Sequence, residues 1–372
     1  MAGVTNDYLT SEEVLFLAEQ NLGQNTMRSG GTPTLLESYA TPTLDMALKA
    51  AEEGTSFQTQ NGGVEYEVQG LRNQRIEWWD GTQRLTFQGH LDAFNLRYTI
   101  GKGHLGDMVV LDVVERTGVS VRYGEGIREK SQIPRGQAMR VANYFQKEKT
   151  RILNAYKLDL AIRLWTENSD AAKAFTGIDG LFPATTNSTG DIGQKSRTNF
   201  LLRHQLITGV TASNVDLAVT RMERALEDAA GNDGTGTSVI IVGDDFFDML
   251  VDSYKGSGNR AQLQVASERA AKWADKMRVG LSKDAFVGDN GKVFTRDQSW
   301  NKIDSLYPGL TVPFAKRMAF INFGHLEFLS EKHLENIVHP MPYDQRVQFT
   351  SWHGAYVLGT DKPRTFGWLV KS

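Results

Sequence analysis

The chain has 372 residues, 40% of them hydrophobic, and a formal net charge of −3 at pH 7. That length suits one large domain or two to three ordinary ones with a sizeable core, and the balanced charge does not mark an overall nucleic-acid binder. Zero cysteines exclude disulfides, thiolate metal sites and cysteine nucleophiles, and no apolar run is long enough to span a bilayer.

The N-terminus, MAGVTNDYLTSEEV, has neither the basic region nor the apolar core of a signal peptide. The expected setting for assembly is therefore a cytoplasm. Residues 1–60 read as an arm with two short helices. Thr10-Ser11-Glu12-Glu13 forms a capping box ahead of Val14, Leu15, Leu17 and Ala18. Thr41-Pro42 opens a second helix that Gly54 closes.

Residues 61–123 alternate in polarity and are punctuated by glycine: VEYEVQG, RIEWWDG, QRLTFQG, FNLRYTI, VSVRY. This is a β-hairpin pattern, and Asp80-Gly81 is its strongest turn signal. Few of these strands are apolar enough to build a core alone. Trp78 and Trp79 beside the turn either need a neighbouring subunit to cover them or pack on the chain's own body. Arg72, Arg75, Trp78, Trp79 and Arg84 are the candidate inter-subunit contacts, since large aromatics and arginine anchor interfaces.

From Ser131 to about Glu167 the only proline and glycine are Pro134 and Gly136, near the start. Val141, Phe145, Ile152, Tyr156, Leu160 and Leu164 recur at spacings of four or seven. The pattern predicts one long helix with an apolar stripe, which Leu153, Leu158, Ile162 and Trp165 widen. It is basic, with nine Lys/Arg between Arg128 and Arg163 against Glu129, Glu148 and Asp159. Such a face is either simply solvated or meets acidic protein or nucleic acid. Glu223 to Ser253 is the opposite, with eight Asp/Glu and one Arg.

Gly177-Ile178-Asp179-Gly180-Leu181-Phe182-Pro183 then makes a tight turn into an apolar pair. Residues 206–339 read as a mixed α/β unit. Ser213 is expected to cap a helix that Gly231 stops, SVIIVG is a buried strand, and DDFFDMLVDSY a helix behind it. AQLQVASERAAKWADKM is helical, an Asn-Gly turn lies in GDNGKVFT, and MAFINFGHLEFL reads as a strand. RVQFTSWHGAYVL and TFGWLVKS read as a closing antiparallel pair around residues 359–363.

No catalytic constellation stands out. Gly101-Lys102-Gly103-His104-Leu105-Gly106 matches GxGxxG, but the residues after it favour a strand rather than the helix a dinucleotide site needs. Gly243-Asp244-Asp245 reads better as a helix N-terminus than as a metal site. His325, His333, His339 and His353 lack metal-ligand spacing. There is no GxSxG elbow and no phosphate-binding GxxxxGK[ST] loop. The expectation is no enzyme, no cofactor and no metal.

The order of elements, a capped arm, a β-hairpin, a long basic helix, an α/β unit and closing strands, resembles the major capsid proteins of tailed bacteriophages. Encapsulins and the herpesvirus capsid floor share that shell fold. Local echoes are the helix running into Gly-Ile-Asp-Gly-Leu-Phe, the strand-then-helix SVIIVGDDFFDML, and VFTRDQSW…YPGLTVPFAKRMAFINFGHLEFL. The resemblance implies an α+β fold in four parts: 1–60 an N-terminal arm, 61–123 an extended loop over the neighbouring subunit, 124–205 with 340–372 a peripheral domain on the spine helix, and 206–339 an axial domain. It implies self-assembly as hexamers and pentamers into an icosahedral shell around double-stranded DNA, within a virion assembled in the host cytoplasm. A portal, a separate scaffolding protein and packaged DNA are the implied partners, with no membrane. The short arm further implies an N-terminus left uncut in mature particles. An encapsulin-like nanocompartment shell is the rival, and a soluble α/β hydrolase the reading from another class.

Overall fold

The computed structural model describes residues 9–10, 41–53, 63–69, 93–110, 114, 121–122, 135–166, 174–231, 237, 239–256, 285–287, 293–339 and 347–372. Two compact units divide the chain. The first comprises 1–38, 102–160 and 331–355, and the second 39–101, 161–330 and 356–372.

Helix α1, Pro42–Glu53, starts at the proline as its fixed φ favours. Strands β2, Gly63–Gln69, and β3, Ala93–Thr99, pair antiparallel from Gly63↔Thr99 to Gln69↔Ala93. Every pair in that ladder is placed symmetrically about residue 81, the glycine of the Asp80-Gly81 turn signal. Strand β4, Gly101–Val110, covers the whole GxGxxG run, so those glycines lie in a sheet as the β-branched residues after them suggested. The VSVRY segment departs from the hairpin reading. Its Val121–Arg122, strand β5, pairs in parallel with Leu9–Thr10, strand β1.

The long helix α2 is Arg135–Trp165, 31 residues; residues 131–134 lie outside the described ones. The expected stripe is buried at Val141, Phe145, Ile152, Tyr156, Leu160 and Leu164, whereas Leu153 and Leu158 at its margin are half-buried. Ile162 and Trp165 are buried with it. Tyr156→Pro would remove a mid-helix hydrogen bond and drive the ring into the preceding carbonyl, costing about 3 kcal/mol. A chemical melt unchanged from wild type would contradict a continuous packed helix.

The second unit is built on a six-stranded mixed sheet. Its strands are β8 Gln205–Val210, β9 Val239–Val242, β10 Ala285–Val287, β11 Val293–Arg296, β12 Arg317–Ile321 and β15 Gly367–Lys371. The order is β10-β11-β9-β12-β15-β8. Strand β9 is buried along its whole length, as a continuous apolar run in a covered sheet should be. Helix α3 is the single turn Ile178–Leu181, and helix α4 is Val215–Ala230. Helix α5, Asp244–Gly256, follows β9 directly. Val215, Ala218, Val219, Met222 and Leu226 of α4 recur at helical spacing and pack with Phe246, Met249 and Leu250 of α5 against Ile240, Val242, Phe320 and Leu369. A Cβ on Gly243, between β9 and α5, would lie 2.2 Å from the Phe314 carbonyl, so only glycine lets the two backbones approach there. Helix α6, Ser299–Leu306, completes the unit.

Three expectations are corrected here. The N-cap of α4 is Asn214, not Ser213, and its side chain does not cap the helix; Asn214 Oδ1 accepts from the Thr211 amide instead. MAFINFGHLEFL is not one strand. It breaks at Asn322, whose side chain accepts from the Gly324 amide and whose carbonyl accepts from the amides of His325 and Leu326, an Asx-type turn. The chain resumes as β13, Leu326–Val338. The closing segments do not pair with each other. Strand β14, Val347–Thr360, lies between β13 and β4 in a three-stranded sheet, whereas β15 lies in the six-stranded sheet between β12 and β8. Gly231 does stop α4, at φ +72°. The proposed helix over 261–277 and the Asn-Gly turn near 290 lie outside the described residues.

Candidate assembly elements

The five hairpin residues Arg72, Arg75, Trp78, Trp79 and Arg84 lie outside the described residues. The base of that hairpin is described, and it is tied into the second unit. Val64, Leu96 and Tyr98 are buried. Tyr98 donates its hydroxyl to the Thr360 carbonyl at 2.9 Å, and Tyr66 donates to Glu327 at 2.8 Å. The two rings meet edge-on at 5.7 Å. Gly359 passes so close to them that a Cβ would meet Tyr66 at 2.5 Å. The Arg97 amide donates to the carbonyl of Gly193 in the turn joining two short strands, β6 Asp191–Ile192 and β7 Lys195–Ser196. Polar-looking strands are thus anchored at their roots by two tyrosines and two aliphatic residues. The polar surface of the alternation hid that from the sequence.

Below the hairpin, helix α2 ends in an aromatic junction. Trp165 meets Trp300 edge-on at 4.8 Å, Trp368 at 5.9 Å and Phe314 at 6.2 Å, and all four rings are buried. Asp297 sits among them without exposure. Its carboxylate accepts from Thr43 Oγ1 at 2.6 Å, Ser299 Oγ at 2.6 Å, the Ser299 amide at 3.0 Å and Trp165 Nε1 at 3.4 Å. Burial pushes its pKa up, and those donors pull the other way. One acidic side chain therefore ties helix α1, the end of α2 and the start of α6 together.

Two buried arginines hold the turn after α2. Arg317 pairs with Asp179 at 2.6 Å, donates Nε to the Val312 carbonyl at 3.0 Å and lies over the Phe314 ring at 4.1 Å. Arg197 donates to the carbonyls of Gly180 and Leu181. Beside it His204 is buried against Phe182 at 5.7 Å, and Phe182 stacks on Phe366 at 4.3 Å. His204 Nε2 lies 3.1 Å from the Pro183 carbonyl, so that nitrogen carries the proton. Burial, and then the charge of Arg197, push the imidazole pKa down to about 3. Sequence reading singled out none of Asp297, Arg317, Arg197 or His204. Their partners are mostly remote in sequence, and no local pattern marks a buried charge.

The residues first weighed for chemistry have other partners. Asp244 holds Arg296 at 2.6 Å and accepts from Asn301 at 2.8 Å, which makes it a tether between α5, β11 and α6. His325 Nδ1 lies 2.9 Å from Asp361. Within the first unit, Ser351 Oγ lies 2.8 Å from both His339 Nε2 and His353 Nε2, and His104 stacks on His353 at 5.8 Å. A single hydroxyl therefore lies between two imidazoles in this cluster.

No protein-family model and no curated protein sequence matches this chain. Solved structures do. The first is a subunit from the capsid asymmetric unit of cyanophage A-1(L). It superposes with a TM-score of 0.58 at 13% identity, over 93% of this chain and 97% of that one. The fold is that of phage capsid subunits. The capsid of the native GTA particle matches with a TM-score of 0.53 at 11% identity, covering 93% of this chain and 95% of that one. The capsid of Myoviridae phage XM1 matches at 0.51 and 8% identity, over 94% and 100%. The capsid fold therefore spans nearly the whole chain.

Proposed function

We propose that this chain is a major capsid protein, which self-assembles into an icosahedral shell around the double-stranded DNA of a tailed phage. The observation that carries the reading is the match of 93% of the chain to 97% of a capsid subunit, end to end rather than over one module. The chemistry agrees with it. Two of the side chains considered for catalysis, Asp244 and His325, hold structural partners in Arg296, Asn301 and Asp361. A shell subunit requires no turnover and no cofactor.

On this reading residues 1–60 are an arm, 61–123 an extended loop, 124–205 with 340–372 a peripheral domain and 206–339 an axial domain, except that β15 goes with the axial domain because it lies in the six-stranded sheet. Arg72, Arg75, Trp78, Trp79 and Arg84 are the loop's contacts on a neighbouring subunit. The buried root of the hairpin supports this, because a strand pair fixed at its base can carry load at its tip. Hexamers and pentamers, a portal, separate scaffolding and DNA on the inner face complete the proposed set of partners, in a virion assembled in the host cytoplasm. Electron microscopy of the expressed protein is the test, with closed icosahedral shells expected. Changing Trp78 and Trp79 together to Ser should leave a folded subunit that assembles poorly. Monomers alone under assembly conditions would refute the shell. Small shells packed with an enzyme would support the encapsulin rival.

A further inference from the structure

Two helices carry charged stripes of opposite sign and equal spacing. On α2, Arg140, Lys147 and Arg151 are exposed at i, i+7 and i+11, which puts them within about 40° of one another around the axis; Arg151 also holds Glu148 of its own helix at 2.7 Å, a pair that docking would have to share. On α4, Asp216, Glu223 and Glu227 also stand at i, i+7 and i+11; Asp216 and Glu227 are exposed and Glu223 half-buried, with Arg221 and Arg224 exposed to the side of the stripe. Each stripe is about 16 Å long. Set parallel, the stripes match at all three positions: Arg140 with Asp216, Lys147 with Glu223, Arg151 with Glu227. A second observation agrees with that register. Met139, 66% exposed, precedes Arg140, and Leu217, 52% exposed, follows Asp216. They are rotated to opposite sides of their own stripes, and in a parallel helix pair opposite sides share one flank.

We propose that α2 of one copy docks in parallel on α4 of a second copy through these stripes, with Met139 and Leu217 on the shared flank. This rests on the shell-forming reading and goes further by naming the surface. The occupant is another copy because both halves of the match are on this one sequence. A contact between two different patches of the same chain is heterologous, and heterologous contacts close into rings when the rotation between copies closes, and otherwise run on as filaments. Its charged character makes it screened by salt and selective in register.

The test uses Lys147→Glu, Glu223→Lys and the two variants mixed. Each single variant places like charges opposite each other, and the concentration needed for assembly should rise about tenfold. Mixing them should restore assembly to near wild type, because each variant supplies the charge the other lacks. Rescue by mixing cannot come from a contact within one chain. Assembly is read by sedimentation velocity, and folding by a circular dichroism melt. Should a reversal lower the melting temperature, Lys147→Gln and Glu223→Gln replace it, and both should weaken assembly. Singles that assemble like wild type, or a mixture that fails, would overturn the docking. Lys147→Glu shells that form normally but lose nucleic acid would overturn it in favour of a nucleic-acid face. Wild-type protein that never assembles would overturn the shell reading and this contact together, which separates that failure from the others.

Discussion

Trp165→Ala is expected to destabilise the protein by about 3–5 kcal/mol, the usual cost of emptying a buried large aromatic site. The position is fully buried at the last turn of α2. Three other aromatic rings lie within 6.2 Å of it, and each well-placed aromatic pair adds about 0.5–1.5 kcal/mol beyond area. The indole also gives one of the four hydrogen bonds to the buried Asp297 carboxylate. Alanine leaves a cavity and a carboxylate short of a donor. Trp165→Phe separates the two effects, since it keeps most of the ring and drops the N–H. Urea unfolding of the dissociated subunit should rank wild type above Phe, and Phe above Ala. An Ala variant within 1 kcal/mol of wild type would mean that the junction does not hold the helix end.

Acid should weaken the fold through His204 before most carboxylates titrate. The unfolded imidazole takes its proton near pH 6.5, whereas the folded one resists until about pH 3. Between those values the unfolded state binds more protons, so stability is complete above pH 6.5 and lost as pH falls. The slope is about 1.4 kcal/mol per pH unit, or about 2 kcal/mol from pH 6.5 to 5. Protonating Nδ1 would also bury a donor for which the described residues supply no acceptor. His204→Gln keeps an N–H for the Pro183 carbonyl and removes the titration. Melting temperature against pH should therefore slope less in the variant across that window. Parallel curves would rule out His204 as the source.

Several parts of the fold were legible because their signal is local. Thirty-one residues of helical periodicity with no interior breaker could only be one helix, and the buried face is the one the spacing marked. The strand at Val239–Val242 and the glycine stop at Gly231 are equally local. The errors share a cause as well. Asn214 stands at the cap without capping by its side chain because the Thr211 amide takes that side chain, and Asn322 broke a strand through bonds to its own neighbours. The pairing of Gly367–Lys371 with Arg317–Ile321 and Gln205–Val210 joins segments separated by tens to more than a hundred residues. Alternation within a strand says which face is buried and nothing about which strand lies beside it. The buried arginines were invisible for the same reason: Arg317 finds Asp179 at a distance of 138 residues along the chain.

The position of β15 bears on synthesis. Strands β8 and β12 have no hydrogen bonds to each other, because β15 lies between them. A ribosome makes β8 at residues 205–210 and reaches β15 only at 367–371. Until then β8 has no strand partner, and the sheet has four paired strands at most. A chain cut short before residue 367 is therefore expected to leave its second unit unfinished and to join no assembly, a filter on truncated subunits set by the order of synthesis.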